Sequence, residues 1–517
     1  MSTALSQFDL VVIGSGPAGQ KGAIAAAKLG KRVAIVDRPR MIGGVSLHTG
    51  TIPSKTLRES ILYLTGFRQR AFYGRDYMLK GDISVSDLAS RVRTVVERET
   101  TVIKQQLHRN HVVTIPGTAR FTSPYSVEVE NDGETQVLTA DHFLIACGTR
   151  AARGSEIPLG KGVVDADQLG QAETIPRDMI VVGAGVIGLE YASMLTALNV
   201  KVTVIDQRPT ILDFVDHEIV EALCYQMRRL GSVFRLGEKV TGVEIDESGM
   251  VTASLESGKR VRAERLLYAV GRQVNTDLLN LEAAGLSADS RGRISVDERF
   301  RTAVSHIGAA GDCIGFPSLA STSMEQGRLA VCHMFLESVT TKQYPFPYGI
   351  YTIPEISMIG KTEHELTDAR IPYEVGIARY DDIAKGQMVG DDTGMLKILF
   401  HPDSLKVLGV HAIGESATEI IHIGQTALAL NGTIEFFRDS VFNYPTFAEA
   451  YKVAALNGLN KLWGRVSTMK RCPTCKQVYD DLDLKFCRTD GTELVGIPSL
   501  PPDLKPTVVL ADTPRGE

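Results

Sequence analysis

The chain has 517 residues, 44% of them hydrophobic and 23% charged, with a formal net charge of −5. At about 150 residues per domain this leaves room for three or four globular domains, and the charge gives no basic footprint for nucleic acid. No apolar run reaches the roughly 18 residues a membrane span needs, and MSTALSQ lacks the charged and apolar regions of a signal peptide, so a cytoplasmic protein is expected.

The first element begins almost at once. DLVVIGSGPAGQKGAIAAAKLGKRVAIVD reads as strand, tight turn, helix and strand, with Gly14, Gly16 and Gly19 in a GxGxxG pattern. In that pattern the first glycine turns the chain, the second admits a pyrophosphate close to the backbone, and the third lets helix and strand pack closely. The helix start offers free N–H groups to phosphate. Asp37 closes the second strand twenty-three positions after Gly14, where a ribose diol needs an acceptor. GGVSLHTGT, residues 43–51, follows, and then IPSK. The spacing of Ser46 and Thr51 is about one helical turn, which predicts two hydroxyls on one face. ACGT, Ala146 to Thr149, closes a strand.

The unit then recurs. MIVVGAGVIGLEYASMLTALNVKVTVID carries Gly183, Gly185 and Gly188, with Asp206 again twenty-three positions after the first glycine. A glycine-rich structural turn does not explain the matched acids. Two complete copies imply two nucleotides, one held permanently and one exchanging, but the glycines do not say which is which. AVGRQVNT (269–276) and a short strand leading into Gly311-Asp312 follow, and NYPTFAEAY (443–451) comes near the end. Cys147, Cys224, Cys313 and Cys332 are scattered and read as small buried hydrophobes. Beyond a helical YKVAALNGLNKLWG, the stretch CPTCKQVYDDLDLKFCRTD places Cys472 and Cys475 in one CxxC and Cys487 and Asp490 at the same spacing. PSLPPDLKP reads as part of a disordered tail.

Taken in order, GG-(eight residues)-PSK, ACGT, AVGRQVNT, the Gly311-Asp312 turn and NYPTFAEAY resemble the FAD-dependent pyridine nucleotide–disulfide oxidoreductases over roughly residues 8 to 465. The resemblance implies an α/β fold with two Rossmann-like nucleotide-binding domains, an α+β dimerisation domain and a homodimer or higher homo-oligomer. Its boundaries would be 1–152 and 277–345 for FAD, 153–276 for NAD(P), and 346–465 for dimerisation. FAD would be held by Gly14, Gly16, Gly19, Asp37, Arg38, Gly44, Ser46, Lys55, Thr149, Gly311, Asp312 and Ala320. NAD(P) would be held by Gly183, Gly185, Gly188, Asp206, Arg208 and Gly271. Lys55 would pair with Glu190 beside the flavin and stabilise negative charge on it. Ser46 and Thr51 stand where those reductases carry their two redox cysteines, and Tyr444 replaces the histidine of their acid–base motif, with its Glu kept as Glu449.

An alcohol cannot replace a thiolate pair in disulfide exchange, so the relay and the histidine that serves it are lost together. Ser46 and Thr51 are read as small turn-filling residues, and Tyr444 as a packing and hydrogen-bonding residue near the isoalloxazine. The chain then most closely resembles the soluble pyridine nucleotide transhydrogenases, which commonly keep a cysteine at the place of Ser46. The resemblance implies NADPH-to-NAD⁺ hydride transfer of the Si-specific type. The alternatives are an NAD(P)H dehydrogenase or diaphorase reducing a quinone or oxygen, and a non-catalytic flavoprotein that recruits a partner through its tail. The C-terminal piece, 470–495, resembles bacterial zinc-ribbon modules, with Cys472, Cys475, Cys487 and Asp490 (or a water in its place) as candidate zinc ligands; the alternatives are a ribbon that folds without metal and a redox CxxC. Residues 496–517 are expected to be disordered.

Overall fold

A computed structural model describes residues 6–74, 76–152, 157, 160, 162–171, 174–336, 338–339, 344–465, 468–479 and 484–498. They fall into two compact units. One comprises Met1–Asp213, Val220–Tyr344 and Ile350–Pro354, and the other Phe214–Ile219, Pro345–Gly349 and Glu355–Glu517. Among the described residues no helix is long and apolar enough to cross a membrane.

The first unit opens with β1 (Ser6–Ile13), α1 (Pro17–Lys28) and β2 (Val33–Asp37), then α2 (Gly44–His48), α3 (Thr51–Leu64) and α4 (Val85–Arg109). Strands β3 (Val113–Pro116), β4 (Thr118–Ser123), β5 (Ser126–Asn131) and β6 (Glu134–Ile145) complete a sheet ordered β3-β2-β1-β6-β5-β4, and β17 (Ile307–Ala309) lies parallel to β6. The continuous apolar run LVVI follows from burial of both sheet faces. Leu10 and Val12 enter one core with Ile35 and Leu144, while Val11 and Ile13 enter the other with Phe143 and Ile145. A parallel sheet covered on both sides has no polar alternation. Each such side chain contributes about 1.5–3 kcal/mol by leaving water.

The same unit holds a second, smaller parallel sheet. β8 (Val163–Asp165), β9 (Asp178–Val182), β10 (Lys201–Asp206), β11 (Val233–Leu236) and β15 (Arg265–Tyr268) pair in the order β11-β10-β9-β15-β8, with α5 (Val186–Ala197) after β9. α5 is buried from Gly188 to Ala197, which accounts for its apolar sequence on every face. An antiparallel meander, β12–β14 (Val240–Ile245, Val251–Leu255, Arg260–Ala263), is inserted before β15. β7 (Thr149–Ala151) and β16 (Arg272–Val274) pair antiparallel where the chain leaves and re-enters the first sheet region. α6 (Ala320–Phe335) follows β17.

In the second unit β18 (Ile356–Gly360), β19 (Glu374–Arg379), β20 (Met395–Phe400) and β21 (Val407–Ile413) form an antiparallel arrangement β18-β21-β20-β19 with α7 (Ala417–Ala429) and α8 (Glu449–Arg465). Its core includes Tyr380, Phe400, Phe437 and Tyr451. Lys397 on β20 is fully buried among carboxylates, 2.8 Å from Asp216, 3.1 Å from Glu218 and hydrogen-bonded to Glu363. A final small sheet joins β22 (Thr468–Arg471), β23 (Val478–Tyr479) and β24 (Val495–Pro498) in the order β23-β22-β24. This corrects the expected tail. Residues 496–498 are a strand, not a disordered end, because Gly496 and Ile497 pair with Lys470 and Met469. The remainder of that expectation, 499–517, lies outside the described residues.

Candidate functional site

The two glycine turns are the same object built twice. Gly14 and Gly183 take φ of 101° and 104°, which L side chains rarely adopt, and their amides donate to Val36 and Ile205, each at 2.8 Å. A Cβ on Gly19 would meet Gly14 O at 1.9 Å, and one on Gly188 would meet Gly183 O at 1.9 Å. By contrast, a Cβ on the middle glycines, Gly16 and Gly185, would meet nothing within 4 Å. Those two glycines begin α1 and α5, which have neither a side-chain cap nor an acidic residue in the first turn. Each turn therefore presents an uncapped helix N-terminus to open space. That suits the pyrophosphate of a dinucleotide.

The acids close the design. Asp37 accepts the Ser15 amide at 2.7 Å and the Ser15 hydroxyl at 2.5 Å, and its other oxygen accepts the Arg38 amide at 2.7 Å. Asp206 accepts the Ala184 amide at 2.7 Å. Each carboxylate thus holds the residue between the first two glycines of its turn. Arg208 adds something the first unit lacks. Its Nε and Nη2 donate to the two oxygens of Asp206 at 3.0 and 2.9 Å, and its amide donates at 2.9 Å. Burial alone would raise the pKa of Asp206, but these bonds hold it below the usual carboxylate range. Asp206 and Arg208, both expected at the nicotinamide site, are thus engaged with each other.

Around the first turn, Gly43 donates to Ser15 Oγ at 3.0 Å, and Gly44 (φ 65°) lies so close that a Cβ would sit 2.8 Å from Gly16 Cα. Ser46 and Thr51 do not share a helix. Ser46 is on α2 and Thr51 starts α3, because the Gly50 amide folds back to Val45 O at 2.7 Å and Gly50 takes a non-helical ψ of −113°. Lys55, one turn into α3, reaches Glu190 on α5 at 2.6 Å. The second Glu190 oxygen accepts the Tyr351 amide at 2.9 Å, and Lys55 Nζ lies 4.9 Å from the centre of the Tyr351 ring. Ser193 accepts the Ile353 amide at 3.0 Å, and buried Arg58 donates to Thr352 O at 3.0 Å. Tyr351, Ser193 and Arg58 were not singled out from sequence.

Asp312 lies in the turn after β17 and accepts from Thr149 at 3.2 Å, while Gly311 donates to Gln326 and Ala320 opens α6. Arg272 donates to the Thr149 hydroxyl at 2.7 Å and carbonyl at 3.0 Å and reaches Asp167 at 3.3 Å. Arg272 and Asp167 are a further missed pair, with no motif of their own. Gly271, at φ 85°, turns the chain into β16. No disulfide links the cysteines: Cys147, Cys224, Cys313, Cys332, Cys472, Cys475 and Cys487 are free thiols. The neighbouring Cys313 thiol and burial push Cys147 well above its ordinary pKa, and burial pushes Cys224 up to about 11. In the second unit Tyr444 is 72% exposed, and one Glu449 oxygen is buried without a hydrogen-bond partner. Cys472, Cys475, Cys487 and Asp490 converge in the C-terminal sheet.

Two dinucleotide turns in one compact unit, with a lysine–glutamate pair joining α3 to the helix that follows the second turn, are the features of a nicotinamide-dependent flavoprotein oxidoreductase. The residues present fit both dinucleotides, since each turn offers uncapped amides, open space and an ordered acid. The chain belongs to the pyridine nucleotide-disulphide oxidoreductase family: residues 8–327 match its model, and residues 346–455 match the model of its dimerisation domain. Within it, the chain is 53% identical over 461 residues to the soluble pyridine nucleotide transhydrogenase of Mycobacterium tuberculosis, covering 89% of this chain and 98% of that one. It is 43% identical over 470 residues to the enzyme of the same name from Vibrio parahaemolyticus, covering 89% and 99%. Among solved structures, LpdA of M. tuberculosis superposes with a TM-score of 0.79 at 26% identity, covering 87% of this chain and 99% of that chain. The HOCl-induced flavoprotein disulfide reductase RclA of Escherichia coli shares the fold, with a TM-score of 0.79, 24% identity and the same coverage.

Proposed function

We propose that this chain is an FAD-dependent transhydrogenase that moves a hydride between NADPH and NAD⁺ without a redox disulfide. The observation that carries the reading is Ser46 and Thr51 at the dithiol positions, with Tyr444 at the histidine position, in a chain 53% identical to named transhydrogenases. FAD, when bound, supplies reversible two-electron hydride chemistry. The chain's own residues bind and orient. Gly14, Gly16, Gly19 and the start of α1 hold the flavin pyrophosphate, Asp37 and Arg38 take the adenosine side, and Thr149, Gly311, Asp312 and Ala320 hold the ribityl–phosphate side. Gly44 and Ser46 shape the turn beside the flavin. Lys55, fixed by Glu190, places a positive charge near it. Gly183, Gly185, Gly188, Asp206, Arg208 and Gly271 form the exchanging nicotinamide site, used by both nucleotides in turn.

The dimerisation domain and its exposed apolar side chains, among them Leu430 at 75%, Val441 at 94% and Tyr444, support a homodimer in which a second copy covers them. Glu449 and Tyr444 are assigned to that assembled site. The test of function is anaerobic reduction of the bound flavin by NADPH, followed by NAD⁺ while flavin absorbance is recorded. Rapid return of the oxidised spectrum supports transhydrogenation. Reoxidation by a quinone but not by NAD⁺ makes the protein a diaphorase, and no reduction at all makes it a non-catalytic flavoprotein.

A further inference from the structure

The small C-terminal sheet lies beyond both family matches and contains two turns of one design. In each, a cysteine is followed three residues later by a second donor and then by a residue with positive φ. These are Cys472, Cys475 and Lys476 (φ 64°) in one, and Cys487, Asp490 and Gly491 (φ 70°) in the other. The backbone repeats the match. Cys472 donates to Gln477 O at 2.9 Å and Cys487 to Thr492 O at 2.7 Å, while Lys476 and Gly491 donate back to the Cys472 and Cys487 carbonyls, each at 3.0 Å. An amide also points at the first sulfur of each turn, from Cys475 at 3.3 Å and from Thr489 at 3.4 Å. Asp490 therefore occupies in the second turn the place Cys475 occupies in the first.

The four side chains meet. Their donor atoms all lie within 4.8 Å of one another, with Cys472 Sγ 3.3 Å from Asp490 Oδ2 and Cys475 Sγ 3.4 Å from Cys487 Sγ. Tetrahedral sulfurs about 2.3 Å from a zinc ion stand about 3.8 Å apart, which is the size of this cluster. The module has little else to hold it. Among the described residues its buried core is Cys472, Cys487 and Leu494, with Tyr479 and Leu484 packed alongside, so two of those three are the thiols themselves. A piece well under about 40 residues ordinarily needs a metal or a disulfide to fold, and these cysteines form no disulfide.

We propose that Cys472, Cys475, Cys487 and Asp490 bind one zinc ion as a structural site, with Asp490 in the place of a fourth thiolate. Binding releases the three thiol protons and leaves a complex of net charge −2, which neighbouring donors offset. Tyr479 Oη, 3.1 Å from Cys487 Sγ, donates to that thiolate, and the Thr492 amide, 3.0 Å from Asp490 Oδ1, orients the carboxylate. Three soft donors with one carboxylate select zinc over magnesium or calcium.

The test uses the full-length flavoprotein. Zinc is measured against flavin in the native chain and in Cys472→Ser, Asp490→Ala and Asp490→Cys. The expected result is about one zinc per flavin in the native chain. Both Cys472→Ser and Asp490→Ala should lose it with flavin content unchanged, and Asp490→Cys should surrender it more slowly to a chelator. Cobalt in place of zinc should show tetrahedral bands to the red of the oxidised flavin, intensified by Asp490→Cys. Native protein with full flavin and no zinc, or a Cys475–Cys487 disulfide in its place after anaerobic purification, overturns the site. Asp490→Ala holding zinc as firmly as the native chain removes Asp490 from the ligand set.

Discussion

Substituting Arg208 by Ala separates the two nicotinamides. In the structure all four acceptor positions of Asp206 are used, by the Ala184 and Arg208 amides and by two parallel guanidinium bonds. On the proposed assignment, the ribose 2′-hydroxyl of NADH would compete with Arg208 for Asp206, whereas a 2′-phosphate would meet an acid already neutralised. The guanidinium uses Nε and Nη2 on Asp206, so Nη1 and the second Nη2 hydrogen remain to donate to the phosphate. A hydrogen bond to a charged group is worth about 1.5–3 kcal/mol. With the Arg208 side chain 44% exposed, screening favours the lower end. About 1.5 kcal/mol is roughly tenfold in affinity. Arg208→Ala should lower kcat/KM for NADPH by about tenfold, and leave NADH within about threefold, any change being a gain because Asp206 is released. The assay is steady-state reduction of a dye with each nucleotide separately. Equal loss with both, or no loss with NADPH, would refute the assignment of Arg208 to dual use.

Lys55→Met should slow flavin reduction by NADPH at least about tenfold in stopped flow while the protein keeps its FAD, since it removes the cation that Glu190 positions. An unchanged rate would reduce the pair to a structural link. Alkylation of the accessible thiols should leave NADPH-to-NAD⁺ transfer within about twofold of the untreated rate, because no thiolate takes part; inhibition that follows modification of Cys147 or Cys332 would contradict this. Lys397→Met should destabilise the second unit by about 3–5 kcal/mol in denaturant unfolding, by leaving the buried Asp216 carboxylate without its cation. Adding Asp216→Asn and Glu363→Gln should recover part of that loss, and no recovery would mean the cost lies in packing.

Both dinucleotide turns were legible from residue spacing because each glycine answers a local steric demand and each acid sits at a fixed strand end. The Lys55–Glu190 pair was visible only through resemblance, since its members are 135 positions apart. The error at Ser46 and Thr51 shows the limit of periodicity. Five positions are about 1.4 turns, so one unbroken helix would not have placed the pair on one face, and the Gly50 amide in any case returns to Val45 and ends the first helix. The return of Arg208 onto Asp206 was not legible, because two residues along a strand end do not show that a long side chain will curl back onto its neighbour. Lys397 and Asp216 could not be paired at all, as nothing local marks a lysine in an apolar strand as neutralised by an acid 181 positions earlier. What escaped the sequence is the pairing of charges, near as well as far, and the helix break at Gly50.

One residue distinguishes the two turns in a way that bears on which nucleotide stays. Ser15 and Ala184 occupy the same position, between the first two glycines, and both amides donate to the acid of their unit. Only Ser15 has a hydroxyl, and it donates to Asp37 at 2.5 Å while accepting the Gly43 amide at 3.0 Å. That second bond ties the Gly43-Gly44 segment to the turn. Among the described residues, Ala184 has no polar side chain to make an equivalent tie. On the proposed reading, the tie helps to retain the flavin and its absence suits an exchanging nicotinamide. Ser15→Ala deletes a charge-assisted bond of about 1.5–3 kcal/mol and leaves the Gly43 amide unsatisfied at about 1–3 kcal/mol. Part of that loss falls on overall stability and part on cofactor retention. FAD should dissociate at least about tenfold more readily in dilution and gel filtration, with nicotinamide affinity in FAD-replete protein unchanged. Full FAD retention in Ser15→Ala would show that the tie does not hold the flavin, and the difference between the two sites would then have to lie in Arg272, Thr149 and Asp312.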